Sequence, residues 1–257
     1  MTVIYPSPIF GPVHSRRLGI SLGINLLPGD GKVCSFDCIY CECGFNRDFR
    51  PKEKMPEREA VAAALETRLK EMAAEGLCPD VLTFAGNGEP TLHPHFPEII
   101  ADTIAIRDRY CPNAKVSVLS NATQVVKPAV RAALMLADNP IMKLDTVNPG
   151  YIGRVDRPTG HYAVRDIIDG LKAMEGRCII QTMFLGGTCD GKDVDNTGEE
   201  YVNPWLDAVA EIAPRQVMIY TIDRETPAHE LKKTAPEVLD AIGRRVEALG
   251  IPCSVSY

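Results

Sequence analysis

The chain is constrained first by an alternation. Short β-type runs at 20–27, 81–85, 115–119, 141–144, 178–184 and 216–221 are each followed by a helical apolar pattern. Alternation of this kind predicts parallel strands joined by right-handed crossovers. The helical stripes are Val61, Leu65, Leu69 and Met72, in a helix opened by Pro56, then Phe96, Ile99, Ile100, Thr103 and Ile104. Val130, Leu134 and Ala137 make the third, and Val164, Ile167, Ile168 and Leu171 the fourth. Leu206, Val209 and Ile212 mark a weaker fifth, and the last opens at Pro236 and runs through Leu239, Ile242, Val246 and Leu249. Six such units fall short of a complete eight-stranded barrel. An open six-unit barrel and a doubly wound sheet both fit, with residues 251–257 as one further strand. In either, chemistry belongs at the C-terminal ends of the strands.

At 257 residues the chain suits one domain. Its 28 basic and 34 acidic side chains give a formal charge of −6, and its basic residues are interleaved with acids, as in 47–59. That balance argues against a general nucleic-acid binder, which needs a basic stripe to neutralise phosphates. No apolar run reaches the ~18 residues of a membrane span. The first residues carry no basic n-region and are broken by prolines, so the expected location is the cytoplasm. An odd count of nine cysteines then argues against a disulfide framework.

Four of those nine fall between Cys34 and Cys43, spaced Cys34-x3-Cys38-x2-Cys41 with Cys43 two further on. Thiolates this close suit one soft metal centre, zinc or an iron–sulfur cluster. Structural zinc usually draws on two separated pairs, which one compact group does not offer. The bacterial ferredoxin run has x2, x2, x3 spacing with a proline after the last cysteine, which is missing here.

Cx3Cx2C with the aromatic Tyr40 before its last cysteine resembles the signature of the radical S-adenosylmethionine (SAM) enzymes. The resemblance implies that Cys34, Cys38 and Cys41 hold three irons of a 4Fe–4S cluster while SAM chelates the fourth. One electron then cleaves SAM to methionine and a 5′-deoxyadenosyl radical, which abstracts hydrogen from substrate. A fourth thiolate would occupy the position SAM needs, so Cys43 is expected in the loop wall and not as a ligand. Gly86-Asn87-Gly88-Glu89-Pro90, after the second run, resembles the family's GGEP loop, whose glycines admit the SAM methionine moiety. The resemblance adds Phe36 and Tyr40 to the cofactor-binding residues. Ser120, Asn121 and Asp145 would bind the SAM carboxylate or ribose, or Ser120 and Asn121 simply cap the next helix. Gln181 would face SAM, or be a buried structural glutamine.

Arginine forks suit carboxylates and phosphates, so Arg154 and Arg157 in 153–162, and Asp223 and Arg224 in 221–227, are candidate substrate contacts. His14, Arg16 and Arg17 could cover the cluster. FGPVHSRRLGISLGINL, the cysteine loop, GNGEPTLHP, LSNAT, KLD and YTIDRETPA together resemble a radical SAM subgroup related to the synthases of wyosine-type tRNA bases. The resemblance implies an α/β fold, a partial (βα)6 TIM-like barrel in one domain spanning 1–257. Residues 1–18 would be a cover segment and 251–257 an extra strand. It further implies a small-molecule or peptide substrate and a flavodoxin or ferredoxin reductant, with no membrane. The alternatives are tRNA base modification, and an iron–sulfur electron carrier in which Cys43 is a ligand.

Overall fold

A computed structural model describes residues 2–15 and 19–257, so the roles expected of Arg16 and Arg17 lie outside the described residues. Strand β1 (Ile9–Ser15) pairs antiparallel with β2 (Gly19–Ile24). From β2 the sheet grows in parallel through β3 (Val81–Phe84), β4 (Lys115–Ser120), β5 (Asn139–Lys143) and β6 (Ile179–Met183). Next come β7 (Leu185–Cys189) and β8 (Lys192–Asp193), then β9 (Gln216–Tyr220), which returns to the main sheet beside β6. Strand β10 (Leu231–Lys233) joins β7 and β8 in a small antiparallel sheet, and β11 (Cys253–Ser256) flanks β9 in parallel. The main sheet thus has eight strands in the order β1-β2-β3-β4-β5-β6-β9-β11. A doubly wound sheet reverses its strand order at a switch point. This order never reverses, so the fold is the open, partial TIM-like barrel.

Helices α1 (Arg58–Ala74), α2 (Phe96–Tyr110), α3 (Pro128–Leu134), α4 (Pro149–Val155), α5 (Val164–Lys172), α6 (Glu199–Ile212) and α7 (Pro236–Glu247) fill the crossovers. Side chains alternate across each strand. Leu22, Ile24, Leu82, Phe84, Val116, Val118, Met142, Ile180, Val217 and Ile219 point outward and are buried against the helices in one apolar core. All four stripe residues of α1 are buried in that core. In α2 Ile106 is buried and Ile104 only half-buried, and Leu249 lies exposed beyond the end of α7. Pro56 precedes α1 instead of opening it.

The opposite alternation, Ser21, Gly23, Thr83, Leu119, Ile141, Gln181, Met218 and Tyr220, lines a cavity on the concave side. Phe10, Val13 and His14 of β1 line it too, where the sequence suggested only a covering segment. Phe10 lies on Gly23, where a Cβ would come within 2.2 Å of the ring. Further elements escaped the sequence reading, β8 and β10 among them. The start of 153–162, read as loop, is the end of α4, and the glycine-rich 185–189 is a strand.

Candidate active site

The cysteine loop leaves β2 and is strung between two neighbouring loops. On one side Val33 N–H donates to Asn87 O at 2.9 Å and Glu89 N–H donates to Val33 O at 3.1 Å. Gly88 has φ +132°, and a Cβ there would sit 1.9 Å from Val33 O, so no other residue fits. On the other side Asp37 N–H and Ile39 N–H reach Asp156 O and Val155 O, each at 2.9 Å. Phe36 bridges to Pro158 and packs edge-on to Tyr162 at 5.2 Å. The loop therefore hangs at the C-terminal rim, braced by the turns after β3 and after α4.

Cys34 Sγ receives Phe36 N–H and Asn121 Nδ2–H, both at 3.5 Å, and Cys38 Sγ lies 3.8 Å from Asp156 Oδ1. Desolvation pushes the Cys34 thiol up to about 12 and the Cys38 thiol well above its usual value. Cys41 is drawn down to about 6, because the Cys43 hydrogen bond and the Lys32 ammonium outweigh its burial. Cys43, the donor of that pair, is pushed up and also lies 3.3 Å from Gly86 O. Beneath them the buried Lys32 Nζ donates to Gly44 O at 2.6 Å and lies 3.6 Å from Asp37 Oδ1. Burial would lower the Lys32 pKa, but Cys41, Cys34, Cys38 and Asp37 more than reverse that. Three thiols on one loop, with N–H donors on one sulfur and an ammonium below, form a donor set that fits an iron–sulfur cluster.

Several side chains expected on SAM are spent on the protein instead. Asn87 is fully buried: its Nδ2 donates to Tyr5 O at 2.9 Å and Pro28 O at 2.8 Å, and its Oδ1 accepts Tyr5 N–H at 2.8 Å. Glu89, also buried, accepts at Oε1 from Thr91 N–H (3.0 Å), Thr91 Oγ1 (2.5 Å) and Ser120 Oγ (2.9 Å), and at Oε2 from Asn121 N–H (2.6 Å). It thereby caps the short 3₁₀ turn Pro90–Leu92 and ties that turn to the end of β4. Burial raises the Glu89 pKa, against the pull of those donors. Asn121 Nδ2 bonds Ser35 Oγ at 2.9 Å while its Oδ1 accepts Thr123 N–H at 3.0 Å, so it braces the turn as well as Cys34.

Asp145 is bound into a quartet that the sequence reading missed. Its Oδ2 takes short hydrogen bonds from Lys143 Nζ and Tyr40 Oη, and its Oδ1 accepts Met183 N–H at 2.9 Å. Lys143 Nζ also bonds Tyr40 Oη, lies 2.9 Å from Asp156 Oδ1 and sits 4.7 Å from the Tyr40 ring centre. Burial pulls the Lys143 pKa down, but Asp145 and Asp156 overcome it and hold the ammonium well above its usual value. Burial drives Asp156 up to about 6 although Lys143 opposes it, since Asp145 competes for the same cation. Lys143 and Asp145 are two apart at a strand end, and that spacing was the available signal.

Tyr40, Cys41, Cys43, Gly86 and Gln181 all line the concave cavity, of about 440 Å³, with Tyr5, Glu42 and Arg224 also on its lining. Of the residues expected on SAM, Tyr40, Gly86 and Gln181 thus face open space. Arg224 pairs with Glu42 at 2.6 Å, and Asp223 with Lys233 at 3.2 Å. Glu42 and Arg224 also border a second groove, of about 810 Å³, that includes Asp48, Asp223, Glu225, His229 and Lys233. Arg154 and Arg157 are not on the lining of either, contrary to expectation. Arg154 bonds Tyr201 Oη at 3.3 Å, and Arg157 pairs with Asp190 at 2.8 Å.

Among relatives, a UPF0026 protein of Synechocystis is 30% identical over 234 residues, covering 88% of this chain and 79% of its own. A UPF0026 protein of Helicobacter pylori is 29% identical over 235 residues, covering 90% of this chain and 71% of its own. A Brachyspira hyodysenteriae protein named GTPase Obg is 29% identical over 93% of this chain, which spans only 33% of that protein's length. The same fold appears in a radical SAM methyltransferase of Sphaerobacter thermophilus (TM-score 0.65, 14% identity, 92% of this chain and 66% of that one). It appears also in Streptococcus suis SuiB bound to its precursor peptide SuiA (TM-score 0.64, 15% identity, 91% and 48%). The sequence profile of the Radical SAM superfamily matches residues 30–196, so the chain, which is also similar to the UPF0026 proteins, belongs to the radical SAM superfamily of enzymes.

Proposed function

We propose that this chain binds a 4Fe–4S cluster through Cys34, Cys38 and Cys41, and SAM in the concave cavity, to abstract hydrogen from a small molecule or peptide. The observation that carries the reading is that Tyr40, Cys41 and Gly86 wall the same cavity that the strands line from below. A cluster held there would supply one electron for the reductive cleavage of SAM, the source of a hydrogen-abstracting radical.

The protein's own part is placement. Tyr40, fixed by Lys143 and Asp145, and Gln181 shape the walls, while Gly86 leaves room for close approach. Asn87, Gly88, Glu89, Pro90, Ser120 and Asn121 hold the two rim turns rigid, and Phe36 anchors the cysteine loop. Cys43 Sγ donates to Gly86 O of the neighbouring glycine turn at 3.3 Å, which suits a wall residue. The cavity falls within the usual ~300–1,000 Å³ of small-molecule sites. Substrate would enter by Arg224, beside the second groove, and a peptide substrate has a parallel in SuiB, which is bound to its precursor peptide SuiA.

The wyosine-type resemblance adds RNA as an alternative substrate. Glu42, Asp48, Asp223 and Glu225 in that groove, and the net charge of −6, oppose a phosphate backbone. One-electron reductants of the flavodoxin or ferredoxin type would serve. Among the described residues no helix is long and apolar enough to cross a membrane.

The test is anaerobic reconstitution with iron and sulfide, followed by dithionite and SAM, with 5′-deoxyadenosine as the readout. That product should form, vanish in Cys34→Ala and persist in Cys43→Ala. A redox-active protein that never cleaves SAM, and loses its iron in Cys43→Ala, would leave an electron carrier instead.

A further inference from the structure

Apart from the cysteines, among which Cys41 also takes a hydrogen bond from it, Lys32 has little compensation for its buried charge. Its side chain is 1% exposed, and an ammonium offers three donors. The neutral Gly44 carbonyl, at 2.6 Å, accepts from it. Asp37 Oδ1, the carboxylate nearest it, lies 3.6 Å away, is 23% exposed and already accepts Asn46 N–H at 2.7 Å. A buried charge needs an opposite charge as well as hydrogen bonds. The bond to Gly44 O spans the stretch that contains Cys34, Cys38, Cys41 and Cys43, so the ammonium ties the two ends of the cysteine loop together.

We infer that Lys32 is the built-in counter-charge of the cluster, a positioning residue that steadies the three-cysteine loop and raises the cluster's reduction potential. This rests on the reading that Cys34, Cys38 and Cys41 hold the cluster. The event it favours is the addition of one electron from a flavodoxin- or ferredoxin-type reductant. No bond forms and no proton moves; the cluster gains one negative charge, and a fixed positive charge beside it stabilises that form. Charge and hydrogen bonding at the sulfurs are established levers on iron–sulfur potentials. Lys143 does not fill the same role, because Asp145 and Asp156 already bracket it.

The test is a redox titration of the anaerobically reconstituted protein, followed by the electron paramagnetic resonance signal of the reduced cluster, without SAM. At the wild-type midpoint, Lys32→Met should lower the reduced-to-oxidised ratio about tenfold, a shift of about 59 mV to lower potential for a one-electron couple. Lys32→Arg should stay within about threefold of wild type. Asp37→Asn, which removes the nearby negative charge but keeps an acceptor for Asn46, should move the ratio the other way. A fully loaded Lys32→Met with an unchanged midpoint overturns the inference, as does an equal shift in Lys32→Arg. Should Lys32→Met take up no cluster, Lys32→Gln, which keeps a donor for the Gly44 carbonyl but no charge, decides, and an unchanged midpoint there overturns the inference. A wild-type protein that forms no four-iron cluster removes the underlying reading, and this inference with it.

Discussion

Lys143 and Lys32 are both withdrawn from water, with side chains 14% and 1% exposed. Their surroundings differ. Lys143 is held by two buried carboxylates and a tyrosine hydroxyl, a closed arrangement that fixes Tyr40 and joins β5 to the turn after α4. Lys32 has one carbonyl, one partly exposed carboxylate and the Cys41 thiol, and the rest of its field falls on the other cysteines. The first is compensated within the protein and serves its architecture. The second keeps an electrostatic demand that a negatively charged cluster would meet.

The largest effect should come from breaking the closed arrangement. Lys143→Met leaves Asp145 and Asp156 buried without their cation, a loss of about 3–5 kcal/mol measured by urea unfolding. Replacing all three, with Asp145→Asn and Asp156→Asn added, should recover most of that, because uncharged buried groups no longer need the ammonium. A triple variant as unstable as Lys143→Met would show that the network is held by shape and not by charge.

A buried carboxylate without a cation provides the middle case. Glu89 accepts from four donors, and Glu89→Gln replaces one acceptor with an amine facing a donor. A loss of about 2 kcal/mol follows, the scale of one hydrogen bond to a charged group plus a donor clash. Lys32→Met should cost less, about 1 kcal/mol, since it removes one bond to a carbonyl and leaves Asp37 in contact with water. If Lys32→Met costs as much as Lys143→Met in the cluster-free protein, the two lysines are equivalent and the contrast fails.

Much of this arrangement was legible in the sequence because period carries it. Strands β2 to β6 and β9 lie where alternation put them, since their outward residues pack on helices whose stripes repeat at 3.6. Strand β1 and the β7–β8–β10 sheet were hidden, because Gly11 and Pro12 in the first and Gly186 and Gly187 in the second imitate turns. Within the site, spacing led to the cysteines and the glycine loop, and Gln181 lies on the cavity side of β6. Side-chain partners were not legible. Residue type told that Asn87, Glu89 and Asp145 are polar and near the rim, but whether they face a ligand or each other depends on loops distant in sequence, such as Tyr5 meeting Asn87. Lys32 was hidden for the same reason: nothing local shows that residue 32 reaches residue 44.

The smallest effect tests whether burial, and not the mere presence of charge, separates these residues. On the outer surface Arg165 pairs with Asp169 and Glu211, and Lys172 with Glu211, all in open water. Hydrogen bonds from Arg165 and Lys172 hold Glu211 down at about 2. A carboxyl held low in the folded protein stabilises it above the ordinary value of 4.5 and loses that contribution as pH falls toward 2. Solvent screens such pairs strongly. Glu211→Gln should therefore leave the urea midpoint at pH 7 nearly unchanged, and differ from wild type only in a shallower acid limb between those two values. In 1 M salt, where the screening length falls to about 3 Å, even that difference should disappear. A pH 7 shift as large as that of Lys32→Met would mean that exposed ion pairs count as heavily as buried ones here, and that the ammonium beneath the cysteines owes nothing to being dry.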